Sequence, residues 1–288
     1  MRKFSFLILF VFVGFQTLSQ DELLDLLDDD SLDVEMVSAT FKGTRLINGH
    51  TVEVRSPHEM DFVISHRFGN INTGDQQLWG LDQSNIRLAL EYGMAKNLTI
   101  GLGRSSFDRT IDTYLKYQML QQAMKMPVTM TGFGSMTKNT NRDLDIEKNH
   151  RFTYTAQLLI ARKFTTNFSF QLSPTFIQRN LVPTNEDSNG LIAVGFGGRQ
   201  KLTQRLSLNF EYYAQLSDYN STRQNAIAIG VDIETGGHVF QLHLTNAQQM
   251  NEKGFIGETD GNFFDGDVRF GFNISRVFDL HGDTKSWD

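Results

Sequence analysis

From Asn85 to Met94 the chain alternates strictly between apolar and polar positions. Ile86, Leu88, Leu90, Tyr92 and Met94 share one parity; Asn85, Arg87, Ala89, Glu91 and Gly93 share the other. Successive side chains of a strand point to opposite faces, so this segment reads as a strand with one apolar and one polar face. The pattern returns at Leu206, Leu208, Phe210 and Tyr212 against Ser207, Asn209, Glu211 and Tyr213. It returns again at Val268, Phe270, Phe272 and Ile274 against Arg269, Gly271, Asn273 and Ser275. Weaker versions run near 59–68, 98–107, 110–120, 124–134, 151–163, 166–177, 190–202, 223–234 and 238–246, which makes about 12 strands.

A soluble β-sandwich alternates in the same way, with its apolar face buried. Three features select an all-β fold of the membrane type instead, an up-and-down antiparallel transmembrane β-barrel. The connections at one end (69–83, 135–150, 178–189, 247–266) are long, with shorter ones at 108–109 and 218–222, whereas those at the other end (95–97, 121–123, 164–165, 203–205, 235–237) are all short. Tight turns at one end and long loops at the other are the rhythm of outer-membrane barrels, and so is an even strand count. The chain also opens with an export signal. Arg2 and Lys3 precede an apolar run from Phe4 to Phe15, and Thr17-Leu18-Ser19 offers small cleavage residues. That run is too short to cross a bilayer as a helix. The predicted organisation is a signal peptide over 1–19, a leader over 20–57, the barrel over 58–279 and a tail over 280–288.

The leader differs from the rest. Asp21 to Asp33 is strongly acidic, with Leu23, Leu24, Leu27 and Leu32 spaced for one face of a short helix. Short β-like pieces follow at Val37–Phe41 and Thr51–Val54. Two placements stand open, a plug within the lumen and a simple lead from the periplasm to the first strand, with the lead-in slightly favoured.

The run Thr40-Phe41-Lys42-Gly43-Thr44-Arg45-Leu46-Ile47-Asn48-Gly49-His50 leads into Ser65-His66-Arg67-Phe68-Gly69. Later come Gly80-Leu81-Asp82-Gln83, Gly101-Leu102-Gly103-Arg104-Ser105, Phe240-Gln241-Leu242-His243-Leu244-Thr245-Asn246 and Gly271-Phe272-Asn273-Ile274-Ser275-Arg276. On these residues the chain resembles an uncharacterised outer-membrane β-barrel family of Bacteroidota, a domain of unknown function. The resemblance covers nearly all of the mature chain. It implies an outer-membrane barrel and no established activity, so no catalytic residue carries over. The last strand also resembles the recognition signal read by the barrel-assembly machinery, with Phe278 at its end, although the tail from Asp279 makes that signal internal.

Composition narrows the chemistry. Cysteine is absent, which excludes disulfides, thiolate metal sites and a lipidated N-terminal cysteine. The net charge of -6 comes with no basic patch, so nucleic acid is not an expected partner. The expected partners are the lipid bilayer, the assembly machinery, and a small solute or a periplasmic protein.

Parity puts Asp61, Arg67, Arg87, Glu91, Asp112, Lys116, Arg199, Glu211, Asp232 and Arg269 on the lumen face as candidate binding residues. Charges of mixed sign there either line a water-filled path or pair into a polar core. The near balance of signs and a narrow interior favour a network with little open pore. Gly93, Gly101, Gly103, Gly195, Gly197 and Gly230 fall mainly on the same face, where they bend the wall or make room for large side chains, an inserted segment or a ligand. His238 and His243 face opposite ways, and His66 and Ser65 do too, so neither pair forms a site within its own strand. In the loop 247–266, Glu258, Asp260, Asp265 and Asp267 are weak candidates for Ca²⁺, but their spacing matches no EF-hand and a solvated acidic loop is the simpler reading. Trp79, Phe255, Phe263 and Phe264 are expected to cap the barrel mouth or sit at the lipid interface.

The functional expectation is passage or binding of a small polar or amphipathic solute. A non-conducting scaffold docking a periplasmic or surface partner is second. A lipid-modifying enzyme, hydrolase or acyltransferase, is third, because its nucleophile and base would have to meet across strands. No cofactor is expected.

Overall fold

The computed structural model describes residues 36–182, 188–217 and 223–280. The export signal, the acidic stretch and residues 281–288 of the C-terminal tail lie outside the described residues. Twelve antiparallel strands among the described residues close into a barrel, each paired with its sequence neighbours and the last with the first. They are β1 Glu59–Asn70, β2 Ser84–Ala95, β3 Leu98–Ser105, β4 Thr110–Leu120, β5 Thr129–Asn139 and β6 Phe152–Lys163. The second half is β7 Phe168–Arg179, β8 Gly190–Lys201, β9 Leu206–Gln215, β10 Ala226–Thr235, β11 His238–Thr245 and β12 Arg269–Asp279. The seam joins β1 to β12 from Glu59↔Asp279 to Arg67↔Gly271, and the register shifts between Arg67 and Asn70. Closure leaves no unpaired edge, which the lipid interior requires of any spanning sheet.

One strand differs from the expected position. β5 starts at Thr129 rather than near 124, so the turn before it is long instead of short. Residues 121–128 do other work. Ala123 bridges to Met36, and the Gln122 carbonyl accepts from the Val37 amide at 2.8 Å. The turn is therefore a docking edge for the entering N-terminal segment.

The two faces separate as the alternation predicts. Ile86, Leu88, Leu90, Leu102, Phe176, Ile192 and Phe210 face outward and are exposed, while the opposite parity is buried. Leu90 pairs with Phe62 on one side and Leu102 on the other, near the middle of the wall. Leu90→Arg is expected to destabilise the barrel by about 2–4 kcal/mol, the cost of arginine on the lipid face at the bilayer midplane. Refolding titrations into lipid vesicles measure this, and a neutral outcome would reverse the assignment of faces.

The filled lumen as candidate functional site

The described part of the leader is a plug, not a lead-in. Residues 40–53 enter the barrel from the end that carries the short turns and fold into a hairpin inside it. Leu46 N donates to Gly49 O at 3.0 Å, Thr51 N donates to Thr44 O at 2.9 Å, and Arg45 bridges to His50. Asn48-Gly49 at the tip is a sequence pair that favours tight turns. Apolar hairpin residues find apolar wall residues: Phe41, Leu46 and Val52 pack with Tyr114, Phe133, Leu159 and Ala161.

The tip is held by one carboxylate. Glu211 of β9 accepts from three successive backbone amides, Ile47 at 3.2 Å, Asn48 at 2.7 Å and Gly49 at 2.9 Å. Arg67 Nη2 donates to Asn48 Oδ1 at 2.6 Å, and Asn273 Nδ2 donates to the Ile47 carbonyl at 2.9 Å. Further down, Gln171 donates to the His50 carbonyl and accepts from the Val52 amide, like one rung of a ladder. Lys116 Nζ donates to the Glu53 carbonyl, and Arg55 pairs with Asp61 at 3.2 Å. The chain then leaves the lumen past Gly93, where any Cβ would collide with the Ser56 carbonyl. Gly93 thus accommodates an inserted segment. Gly101, Gly103 and Gly195 make room instead for the side chains of Tyr114, Arg87 and Tyr213.

The other end of the lumen is filled by the longest loop. After β11 the chain dips inward and forms a short helix, α1 Glu252–Gly257, whose Gly254 amide donates to the capping Asn251 Oδ1 at 2.9 Å. Phe255 and Ile256 are buried with Ile177, Leu191, Ala193 and Tyr213. Phe255 therefore lies inside the barrel rather than at its rim, whereas Trp79 and Phe264 are exposed. The Gln215 side chain donates to the Ile256 carbonyl at 2.6 Å, and Arg269 Nη1 donates to the Asn246 carbonyl at 2.6 Å.

Hairpin and helix meet in the middle. Arg45 Nη2 lies 2.9 Å from His50 Nε2, and Glu252 Oε1 sits 3.5 Å from that nitrogen and 3.9 Å from Arg45 Nη1. A guanidinium only donates, so His50 Nε2 accepts and the imidazole is neutral. Burial, then the charges of Arg45, Lys116 and Arg87, hold its pKa well below the ordinary value. Burial raises the Glu252 carboxyl, against the pull of Arg45.

All ten candidate lumen residues point inward and are buried. Asp61, Arg67, Lys116 and Glu211 hold the hairpin or its exit, as described above. Arg87 and Asp112 hold each other, with Nε to Oδ1 at 3.1 Å. Glu91 accepts from Tyr114 at 2.9 Å, Asp232 accepts from Gln241 at 3.0 Å, and Arg199 donates to Ser207 at 3.1 Å. Arg269 anchors the loop. The four loop carboxylates do not converge: Glu258 pairs with Lys253 at 3.0 Å, while Asp265 and Asp267 each bond to Asn262. No group of three or more metal-ligating side chains occurs among the described residues. Parity reasoning missed Arg179, which faces the lumen at the end of β7, and it could not reach Arg45, His50 and Glu252, which lie outside the strands.

Comparison with solved structures finds distant likenesses. The NanC porin is 9% identical, with 76% of this chain and 98% of that chain covered at a TM-score of 0.49. The KdgM porin is 8% identical, with 76% and 99% covered at a TM-score of 0.48. An outer membrane channel from Pseudomonas putida F1 is 14% identical, with 80% and 98% covered at a TM-score of 0.46. Among curated proteins, none matches. A family model matches residues 41–278, from within the lumen hairpin to the end of the last strand, and the chain belongs to that family, described as a membrane-bound β-barrel domain (DUF5777).

Proposed function

We propose that this chain is an outer-membrane barrel that admits or binds a small polar solute and is closed at rest by its own hairpin and inward-folded loop. Single-chain barrels of even strand number belong to outer membranes, with their short turns on the periplasmic side. The hairpin would then enter from the periplasm and α1 from outside. One observation carries the reading. The hairpin contributes no strand to the wall, because β1 through β12 pair only with one another. Withdrawal would leave the barrel ladder complete. The wall atoms that hold the tip are a carboxylate, a guanidinium and amides, which water can satisfy in the hairpin's absence. A wall face of this kind can be either packed or wet.

Planar-bilayer conductance tests it. The intact chain is expected to be silent. A chain lacking 40–53 should conduct in discrete steps, and trimming 249–260 as well should enlarge them. Heat-modifiable gel mobility checks that each variant still closes as a barrel. Folded variants that stay silent in both deletions would remove the passage reading and favour the non-conducting scaffold.

A further inference from the structure

The lipid-facing side of the wall is not uniform at its loop end. In that half of the strands, lysine or arginine stands at an outward position only at Arg104 of β3 and Lys138 of β5, among the described residues. The register places both in one row, because Arg104 faces Ile111 and Ile111 faces Lys138. At a strand spacing of about 4.8 Å their backbones lie roughly 10 Å apart, so two long side chains can converge on one group. Both are exposed. Arg104 Nη1 donates to the Arg109 carbonyl and to Thr140 Oγ1, and the Lys138 ammonium lies over the Phe152 ring, 5.2 Å from its centroid. Neither pairs with a carboxylate of the described residues, and Asp143 is taken by Arg109 at 3.1 Å.

On the membrane side of this row, two adjoining grooves cut the same face. In the larger, of about 840 Å³, Thr113 and Gly134 stand low between Leu102, Leu115, Met136 and Tyr154. A Cβ built on Gly134 would meet nothing within 4 Å, so the floor is open there. The smaller, of about 330 Å³, shares Leu90 and Leu102 with it and has Arg104 in its wall. We propose that this face holds one anionic, phosphate-bearing lipid with two or more acyl chains, in the leaflet at the loop end. Its chains lie in the grooves, and its phosphate is held by Arg104 and Lys138 through charge-assisted hydrogen bonds. The proposal is independent of whether the lumen conducts.

The charges select this occupant. A neutral lipid would fill the grooves and leave both cations unpaired. A zwitterionic headgroup brings a cation of its own. A second copy docked by a two-fold axis would set the same patch against itself. Arg104 and Lys138 of one copy would then meet those of the other, and the outward positions of β2 to β6 hold no carboxylate to offset them. The short-turn end lacks this arrangement. Its outward strand cations, Arg162 and Arg276, lie on β6 and β12, on opposite sides of the closed wall, each over a ring two residues further on.

Native mass spectrometry of the full chain in detergent tests this with phosphatidylglycerol, phosphatidylcholine of the same acyl chains and inorganic phosphate as probes. One phosphatidylglycerol should bind at least about tenfold more tightly than phosphatidylcholine, and inorganic phosphate should not bind. Arg104→Gln combined with Lys138→Gln should remove that preference, with heat-modifiable gel mobility unchanged. Gly134→Phe should weaken phosphatidylglycerol binding while both cations remain. Arg162→Gln combined with Arg276→Gln should leave it unaltered. Equal affinity for the two lipids would overturn the proposal, as would an unchanged preference in the Arg104 and Lys138 double variant. Phosphate binding that depends on the same two cations would make this an ion site rather than a lipid site. A mass of two chains that Gly134→Phe returns to one would assign the grooves to a second copy instead.

Discussion

Arg87→Glu is expected to abolish or severely weaken assembly of the barrel. Arg87 is fully buried, and its guanidinium grips the Asp112 carboxylate through both Nε and Nη2. It also lies over the Tyr114 ring, 5.9 Å from the centroid. The substitution would set two carboxylates face to face in a buried site, with Glu91 two strand repeats further along the same face. Breaking a buried pair by removing one partner costs about 3–5 kcal/mol, a large part of the 5–15 kcal/mol typical of a folded domain. Urea midpoints and heat-modifiable mobility measure the loss. The exchange Arg87→Glu with Asp112→Arg should restore part of it. A stable single variant would show that the pair does not hold the wall together.

Glu211→Lys is expected to expel the hairpin while the wall survives. Three buried amides lose their acceptor, and each buried donor left unsatisfied costs about 1–3 kcal/mol. The new ammonium also stands near Arg67, which shares the tip. Trypsin reads the result. In the native protein Arg45 is buried and the following bond is protected. In the variant, cleavage after Lys42 and Arg45 should appear early, together with new conductance. Glu211→Gln keeps an acceptor oxygen and should fall between. Continued protection of Arg45 in Glu211→Lys would sink the idea that this carboxylate seats the hairpin.

The wall was legible because strand parity is a local rule. Once Leu90 is outward, Arg87, Ala89 and Glu91 must be inward, and no tertiary information is needed. The hairpin was not legible in the same way. It is surrounded by wall on every side, so its residues follow no two-fold alternation: Thr40, Phe41, Thr44 and Arg45 are all buried. Its tip is held by Glu211, 162 residues from Gly49. Asn48-Gly49 between two short β-like pieces was an available hairpin signal. A second lay in the wall itself. Leu158-Leu159-Ile160-Ala161 and Leu191-Ile192-Ala193-Val194 are apolar on both parities. A strand between lipid and water has no use for that pattern, whereas one buried on both faces does. The shift of β5 has a similar cause, since the residues before Thr129 are recruited by Met36 and Val37.

The short passage from Glu53, whose carbonyl Lys116 holds, to Glu59 at the start of β1 spans six residues. Fully stretched it reaches about 20 Å, at roughly 3.3–3.6 Å per residue. A hairpin that slips out of the lumen therefore stays leashed beside the opening. Its return is an intramolecular event, at an effective concentration in the millimolar range typical of short linkers. A free peptide of the same sequence at micromolar concentration would compete poorly for the vacated site. Opening would last only while something else holds the leashed segment outside, and the barrel would shut itself on release.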